Sequence, residues 1–438
     1  MTEAAHPPVA SRRARVSWAF FDWAQQPYNM LVVGFVFGPY FASDFIGDPV
    51  RGQSLLGYAL GASGLLIVLL SPLLGAAIDS RRNPKTWLAV LSVPFVLACA
   101  LLWQAAPGAA ALAPLIMLAL VIASTSTELS ITAANSMLPY VAEPGRMGRL
   151  SGWATGLGYF AGLVSVALAV YGLPPLLGLN DSDTARLVGP LAALWYLVFI
   201  LPLLLFVPPP PPSVRLEGTA FSELWATLKG LPKNRMMLTF LIGRMLVGEG
   251  TNAAGLFGPV LAKGLFGWSV KETAVFGLVL ALVAGLSSWA AGHLDDRFGS
   301  KRTVLAFTAL LALAVAGFGA IEADRLFGIA VPAAVVGDGW FASPAERAFI
   351  ACGVLIGLAF GPIGAVLRTW MARLAPPGEE GRWFGLFALS GRASSFFVPT
   401  LIGALTAATG DQRVLIPVVL TFLLAGAAFL LATPGRRP

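Results

Sequence analysis

The chain has 438 residues, of which 57% are hydrophobic and 12% charged, and it carries a formal net charge of +7. Soluble domains carry about 25% charged residues, so this much apolar sequence excludes an ordinary soluble fold and requires lipid as part of the solvent. The basic residues sit in short clusters between apolar runs rather than in one patch, which argues against a nucleic-acid partner.

Polar and basic residues through Ser17 lead into a long apolar stretch, with no short hydrophobic core followed by a small-residue cleavage site. The first stretch therefore reads as a retained membrane helix rather than a signal peptide. Segments long enough to cross about 30 Å of hydrocarbon are predicted at 18–43, 54–78, 86–106, 110–138, 150–173 and 188–207. A second set is predicted at 235–262, 272–294, 303–321, 347–371, 383–407 and 413–432. The interval between them opens with Pro208–Pro212, and a proline run cannot continue a hydrogen-bonded helix. The expected architecture is all-α and integral to the membrane, with twelve transmembrane helices. It divides into an N-terminal six-helix half (1–207), a proline-containing cytoplasmic linker (208–234) and a C-terminal six-helix half (235–438).

Polar residues inside these spans are the candidate working groups, because they are costly there unless they meet water or a partner. In span one, Asp22, Gln25, Gln26 and Asn29 recur at helical spacing and form one polar stripe beside Pro27. Gln25, Gln26 and Asn29 are expected to line a cavity, and Asp22, near the cytoplasmic end, to act as an inner-mouth latch or snorkelling anchor, against a direct substrate role. In span four, Ser124, Glu128, Thr132 and Asn135 form a second stripe, with Glu128 about halfway through the bilayer. Glu128 is the first candidate for recognising a substrate amine or carrying a proton, against a structural role pinning neighbouring helices. Span seven carries Arg244, Glu249 and Asn252 among Gly248, Gly250 and Gly255, and span eleven carries Arg392. Arg244 and Glu249 are five residues apart, about 140° around a helix, so a tight pair within the helix is not expected. Either arginine could clamp a carboxylate bidentately, or belong to a charge network internal to the bundle.

The chain also repeats itself. Ser136–Tyr159 and Thr369–Arg392 align without a gap and match at seven of 24 positions, including Gly145/Gly378, Gly148/Gly381, Arg149/Arg382 and Gly152/Gly385. Gly75–Asp79 closes span two and Gly292–Asp296 closes span eight, each followed by basic residues: Arg81, Arg82 and Lys85, then Arg297, Lys301 and Arg302. The glycine lets a helix end approach its neighbour, and the carboxylate can hold a basic residue or a helix N-terminus across the gap. Asp79, Arg81, Arg82, Asp296 and Arg297 are therefore gating candidates. With both termini cytoplasmic, 20 basic residues fall in inside segments and seven in outside segments, the sense of the positive-inside rule. An even number of spans separates the halves, so they are parallel repeats.

These features bring a family into view. The chain resembles the major facilitator superfamily, and Gly75–Lys85 and Gly292–Arg302 are similar to its loop between helices two and three and the second-half counterpart. More narrowly it resembles the Atg22-like vacuole effluxer group and its bacterial relatives, through Trp18–Ala24 (WAFFDWA), Asn135–Pro139 (NSMLP), Arg149–Tyr159 (RLSGWATGLGY) and Phe384–Arg392 (FGLFALSGR). The resemblance implies a twelve-helix alternating-access fold and, by analogy with fungal members, efflux of amino acids. Ser80 and Asn83-Pro84 depart from the superfamily's first-half loop, so symmetric gates are not implied.

The expected function is secondary active transport of a small polar or zwitterionic metabolite, such as an amino acid or peptide-like compound, by alternating access with proton coupling. The alternatives are a lipid or amphiphile translocase and a non-transporting membrane receptor or assembly protein. No enzyme is expected, because no nucleophile–base set, metal-ligand cluster or phosphate cradle emerges; Cys99 and Cys352 lie in apolar stretches, and His6 and His293 are too few for a metal centre. No cofactor is expected beyond a proton gradient as energy source. The expected partners are the solute and membrane lipids, with the chain working as a monomer in a bacterial-type cytoplasmic membrane.

Overall fold

A computed structural model describes residues 10–81, 83–210, 220–268, 270–333, 340–392 and 397–434. The described chain is helical almost throughout. Its helices are α1 (Arg12–Pro27), α2 (Phe37–Tyr40), α3 (Pro49–Arg81), α4 (Pro84–Leu101), α5 (Ala113–Ser136), α6 (Leu138–Val141), α7 (Met147–Ala167), α8 (Leu173–Leu177) and α9 (Asp181–Phe206). They continue with α10 (Ala220–Gly230), α11 (Arg235–Phe266), α12 (Val270–Phe298), α13 (Ser300–Gly319), α14 (Pro344–Leu374), α15 (Glu380–Arg392), α16 (Phe397–Thr409) and α17 (Leu415–Ala432). A two-stranded antiparallel hairpin, β1 (Arg325–Leu326) with β2 (Ile329–Ala330), is the exception.

Among the described residues nine helical segments are long and apolar enough to cross a membrane. Several outrun the apolar windows read from sequence: α3 spans 33 residues and α14 spans 31. A helix is not obliged to end where hydrocarbon does, since a carboxylate or arginine can continue it into water. Many large apolar side chains point outward, among them Leu65, Leu97 and Leu205, each more than 60% exposed. In water such a surface would drive aggregation, whereas lipid is its natural solvent.

The chain divides into two compact units. The first comprises Met1–Lys229 with Met371–Arg392, and the second Gly230–Trp370 with Ala393–Pro438. In the first, α1 is held on three sides. Phe20 stacks on Phe199 and Trp23 on Trp195, while Trp195 Nε1 donates to the Trp23 carbonyl at 3.0 Å, fixing α1 to α9. Against α7, a Cβ on Gly158 would lie 3.3 Å from Asp22 Cβ, and one on Gly162 would lie 2.8 Å from Met30 Cγ. Small residues bring these helices together, as expected where lipid removes the hydrophobic drive for helix association. Two hydrogen bonds to α5 complete the seat: Trp18 Nε1 to the Ala134 carbonyl at 2.7 Å, and Tyr28 OH with Ser124 Oγ at 2.7 Å.

In the second unit, Gly243 and Gly250 of α11 accept Leu430 and Leu423 of α17, and Gly353 of α14 accepts Phe276 of α12. Ser343 and Glu346 form a capping box at the start of α14: the Glu346 N–H donates to Ser343 Oγ at 3.1 Å and the Ser343 N–H to Glu346 Oε2 at 3.0 Å. Trp268 Nε1 donates to the other carboxylate oxygen at 2.8 Å, so Glu346 is buried with both oxygens occupied.

Candidate functional site

Two groups of predicted residues acquire geometry in the first unit. The first is the polar face where α1 meets α5. Trp18 opposite Ala134 and Tyr28 opposite Ser124 fix an antiparallel register, in which Glu128 stands level with Ala24. The α1 stripe and the carboxylate of α5 therefore share one depth. Asp22 and Gln25 are buried, Gln26, Asn29 and Glu128 are half-buried, and Asn135 is buried toward the end of α5. Asn29 Nδ2 donates to Gln25 Oε1 at 3.3 Å, which leaves most of both amides' capacity for other groups. Thr125, one turn before Glu128 on the same face, has a buried hydroxyl without a hydrogen-bond partner among the described residues. The same holds for Thr127. Unsatisfied hydroxyls in a membrane interior are costly, so they mark where water or a polar solute would be stabilised.

The second group is a helix-end latch. Asp79 closes α3 and is 7% exposed. The backbone N–H groups of Gly381 and Arg382 donate to its Oδ1 and Oδ2, each at 2.7 Å. These are orphan donors at the start of α15, so a carboxylate from another helix caps α15 and meets the positive end of its dipole. The approach is possible because the crossing is built of glycine. A Cβ on Gly381 would lie 2.5 Å from the Gly75 carbonyl oxygen, and one on Gly385 would lie 2.5 Å from that of Ser71. The turn before α15 depends on Gly378 at φ +89°, and its repeat partner Gly145 has φ +73°; both lie in the left-handed region that glycine enters freely. Arg382 is buried, with Nη2 at 2.9 Å from Glu379 Oε2, which also accepts Trp383 Nε1 at 3.0 Å.

Other predicted positions stand elsewhere. Arg244, Glu249 and Asn252 lie on α11 of the second unit, half-buried, buried and exposed respectively. Arg82 lies outside the described residues, as do the side chains of Arg81 and Arg392. Asp296 is half-exposed and Arg297 is exposed, its guanidinium 5.2 Å from the Phe298 ring centre. The fully buried carboxylate at this turn is Asp295, one residue earlier. Counting four residues from Gly292 selects Asp296; counting four from Ala291 selects Asp295, a substitution of alanine for glycine that the motif hid. Tyr28 also escaped the reading, although it is flanked by the stripe it completes. Among the described residues no cluster of metal-ligand type occurs.

A family model described as "Vacuole effluxer Atg22 like" matches residues 42–437. The chain belongs to the Atg22-like family. Within it, Autophagy-related protein 22 of Cryptococcus neoformans is 27% identical over 279 residues, a match covering 60% of this chain and 48% of the fungal protein. The chain thus matches about half the length of that relative. An uncharacterised MFS-type transporter of Bacillus subtilis, YxiO, is 22% identical over 434 residues, covering 95% of this chain and 94% of its own. Among solved structures, a bacterial homologue of the iron transporter ferroportin in its outward-facing state superposes with a TM-score of 0.71 at 17% identity, covering 96% of this chain and 98% of its own. The proton:xylose symporter XylE superposes with a TM-score of 0.71 at 14% identity, covering 96% and 95%. These likenesses show that this Atg22-like chain has the major facilitator fold.

Proposed function

We propose that this Atg22-like protein is a secondary transporter that moves a small polar or zwitterionic solute, such as an amino acid or peptide-like compound, by alternating access coupled to protons. The observation that carries the reading is the shared depth of Glu128 and the α1 amides, beside the unpartnered Thr125 hydroxyl. A carboxylate with amides and hydroxyls at its own level can accept a substrate ammonium through charge-assisted bonds. It can also exchange that cation for a proton, which is the elementary step of coupling. Within this reading the chain has twelve spans in two six-helix repeats, bounded at 1–207 and 235–438, with the interval 208–234 as a cytoplasmic linker. Both termini face the cytoplasm of a bacterial-type membrane, as the basic-residue bias supports. Arg244, Glu249, Asn252 and Arg392 are the second half's candidates for the solute's carboxylate and polar groups. Asp79, with Asp22, Arg81, Arg82, Asp296 and Arg297, provides gating, and the monomer is the working unit.

The test is flux in proteoliposomes over a panel of amino acids, dipeptides and other polar metabolites, with and without a pH gradient. Expected is accumulation of a zwitterionic solute that the gradient drives and that Glu128→Gln uncouples. No flux of any solute under either condition would favour a receptor or assembly role. Flux that Glu128→Gln leaves unchanged, pH dependence included, would remove Glu128 from both recognition and coupling.

A further inference from the structure

A cavity of about 400 Å³ opens at the end of the first unit opposite Arg12, walled by Phe35, Tyr40, Asp44, Val170, Asp181 and Ser182 among others. We propose that it is a binding site for an ammonium cation carried on an apolar body. The volume lies within the range of small-molecule sites. Its polar lining is two exposed carboxylate residues, the hydroxyl pair of Tyr40 and Ser182, and Ser43 and Thr184; the rest is aromatic or aliphatic. Tyr40 OH donates to the Ala105 carbonyl at 2.6 Å and is 3.0 Å from Ser182 Oγ, so the polar floor is held rigidly.

The charge is one-sided. Among the described residues no lysine or arginine lines the cavity and neither Asp44 nor Asp181 takes part in an ion pair; there Asp44 accepts only the neighbouring Ser43 hydroxyl, at 2.6 Å. The nearby cation Arg186 is committed elsewhere. Its Nη1 is 2.9 Å from Asp183 Oδ1, its Nε donates to the Trp103 carbonyl at 2.9 Å, and its guanidinium lies 4.4 Å from the Trp103 ring centre. Two negative charges on an apolar wall select for a cation with apolar surface, since a fully hydrated metal ion would gain nothing from Phe35 or Val170.

An independent observation concerns the backbone. Three stretches that contribute to the walls leave α-helical geometry for π-helical turns: Tyr28–Phe35, Phe41–Phe45 and Leu168–Gly172. π-turns are rare and concentrate at functional sites. Here Phe35, Asp44 and Val170 each come from a different one of them, so the widened backbone and the cavity coincide.

The test is equilibrium titration of the full-length protein in dodecyl maltoside, with protein-free micelles subtracted. Hexyltrimethylammonium is expected to bind saturably at one equivalent. The double variant Asp44→Asn/Asp181→Asn is expected to bind it at least tenfold more weakly, and Val36→Trp, which fills the cavity without touching its charge, to abolish binding. Gel filtration and circular dichroism identify any variant that fails to fold, and either one suffices. Tetramethylammonium and lysophosphatidylethanolamine separate the sources. Tetramethylammonium binding within threefold of the hexyl compound assigns a free ammonium solute, whereas tenfold weaker binding with competition by the lysolipid assigns a lipid head group. Equal binding by parent and variants, or equal binding of hexyl sulfate, overturns the proposal. Because no gradient is applied, this result is separate from whether the protein transports a solute.

Discussion

Lys85 Nζ donates to the Val207 carbonyl at 2.7 Å, tying the start of α4 to the end of α9. The second unit makes the same bond: Lys301 Nζ donates to the Thr433 carbonyl at 2.8 Å and to that of Leu431 at 2.6 Å. Each lysine is the second residue of its helix, and Val207 and Thr433 are the C-caps of α9 and α17. A cation at a helix C-terminus satisfies orphan carbonyls and opposes the negative end of the dipole. The basic residues after the Gly-x-x-x-Asp turns thus include one per repeat whose work is to clasp helix ends.

Replacing either lysine by methionine keeps the aliphatic stem and removes the bond. Each substitution is expected to cost about 1 kcal/mol, read as a lower thermal midpoint in detergent. Solute selectivity should not change. An unchanged midpoint for both variants would show that the bonds carry no net stability.

Tyr28→Phe tests the seat of α1. The ring keeps its edge contact with Phe95, at 5.4 Å between centroids, and only the hydroxyl's bonds to α5 are lost, to Ser124 Oγ at 2.7 Å and to the Leu120 carbonyl at 3.4 Å. The expected loss is about 1 kcal/mol of stability. If Glu128 is positioned through this register, substrate affinity should also fall. Stability lost with affinity kept would separate the hydrogen bond from the site.

Much of this was legible in the sequence, and the residues show why. Nine of the twelve predicted runs recur among the described residues as helices long and apolar enough to cross a membrane, because bilayer thickness sets one length scale. The stripes on α1 and α5 were readable because helical spacing puts their members on one face. Asp79 as a helix-end holder followed from Gly75 four residues earlier, but the identity of the held end, α15, is a contact 302 residues away that no local pattern encodes. Asp295 was missed because its preceding small residue is alanine. The cavity at Asp44 and Asp181 was missed because its walls come from two segments far apart in sequence, 35–44 and 170–185, and its π-turns leave no mark in composition.

Two glycines should respond differently to alanine. On α9, a Cβ at Gly189 would lie 2.5 Å from the Cys99 carbonyl oxygen, which belongs to the backbone of α4 and cannot step aside. On α7, the nearest obstacles to a Cβ at Gly162 are Met30 Cγ at 2.8 Å and Cε at 3.2 Å, atoms of a flexible side chain that can change rotamer. Gly189→Ala is therefore expected to lose about 2–3 kcal/mol, as overpacking against a fixed group does, while Gly162→Ala loses less than about 1 kcal/mol. Thermal unfolding of the two variants side by side checks the order, and a reversed order would contradict the packing described for α4 and α9.

The latch gives the sharpest test of gating. Asp79→Leu removes both acceptors from the Gly381 and Arg382 amides and leaves them orphaned at the start of α15. Asp79→Asn keeps one acceptor and loses the charge. Gly381→Ala leaves the carboxylate intact but forces the helices apart at the Gly75 crossing. If the cap holds α15 to α3, hydrogen exchange at residues 380–383 should quicken at least tenfold in Asp79→Leu, equivalent to about 1.4 kcal/mol, and less in Asp79→Asn. Cysteine reporters at the exposed positions Asn83 and Pro377, introduced with Cys99 and Cys352 replaced, should show a wider distance distribution in Asp79→Leu and in Gly381→Ala. Faster exchange with an unchanged distribution would make Asp79 a helix cap without a gating role. Neither change appearing would mean that the glycine crossing alone holds the helices and that the carboxylate contributes nothing to the latch.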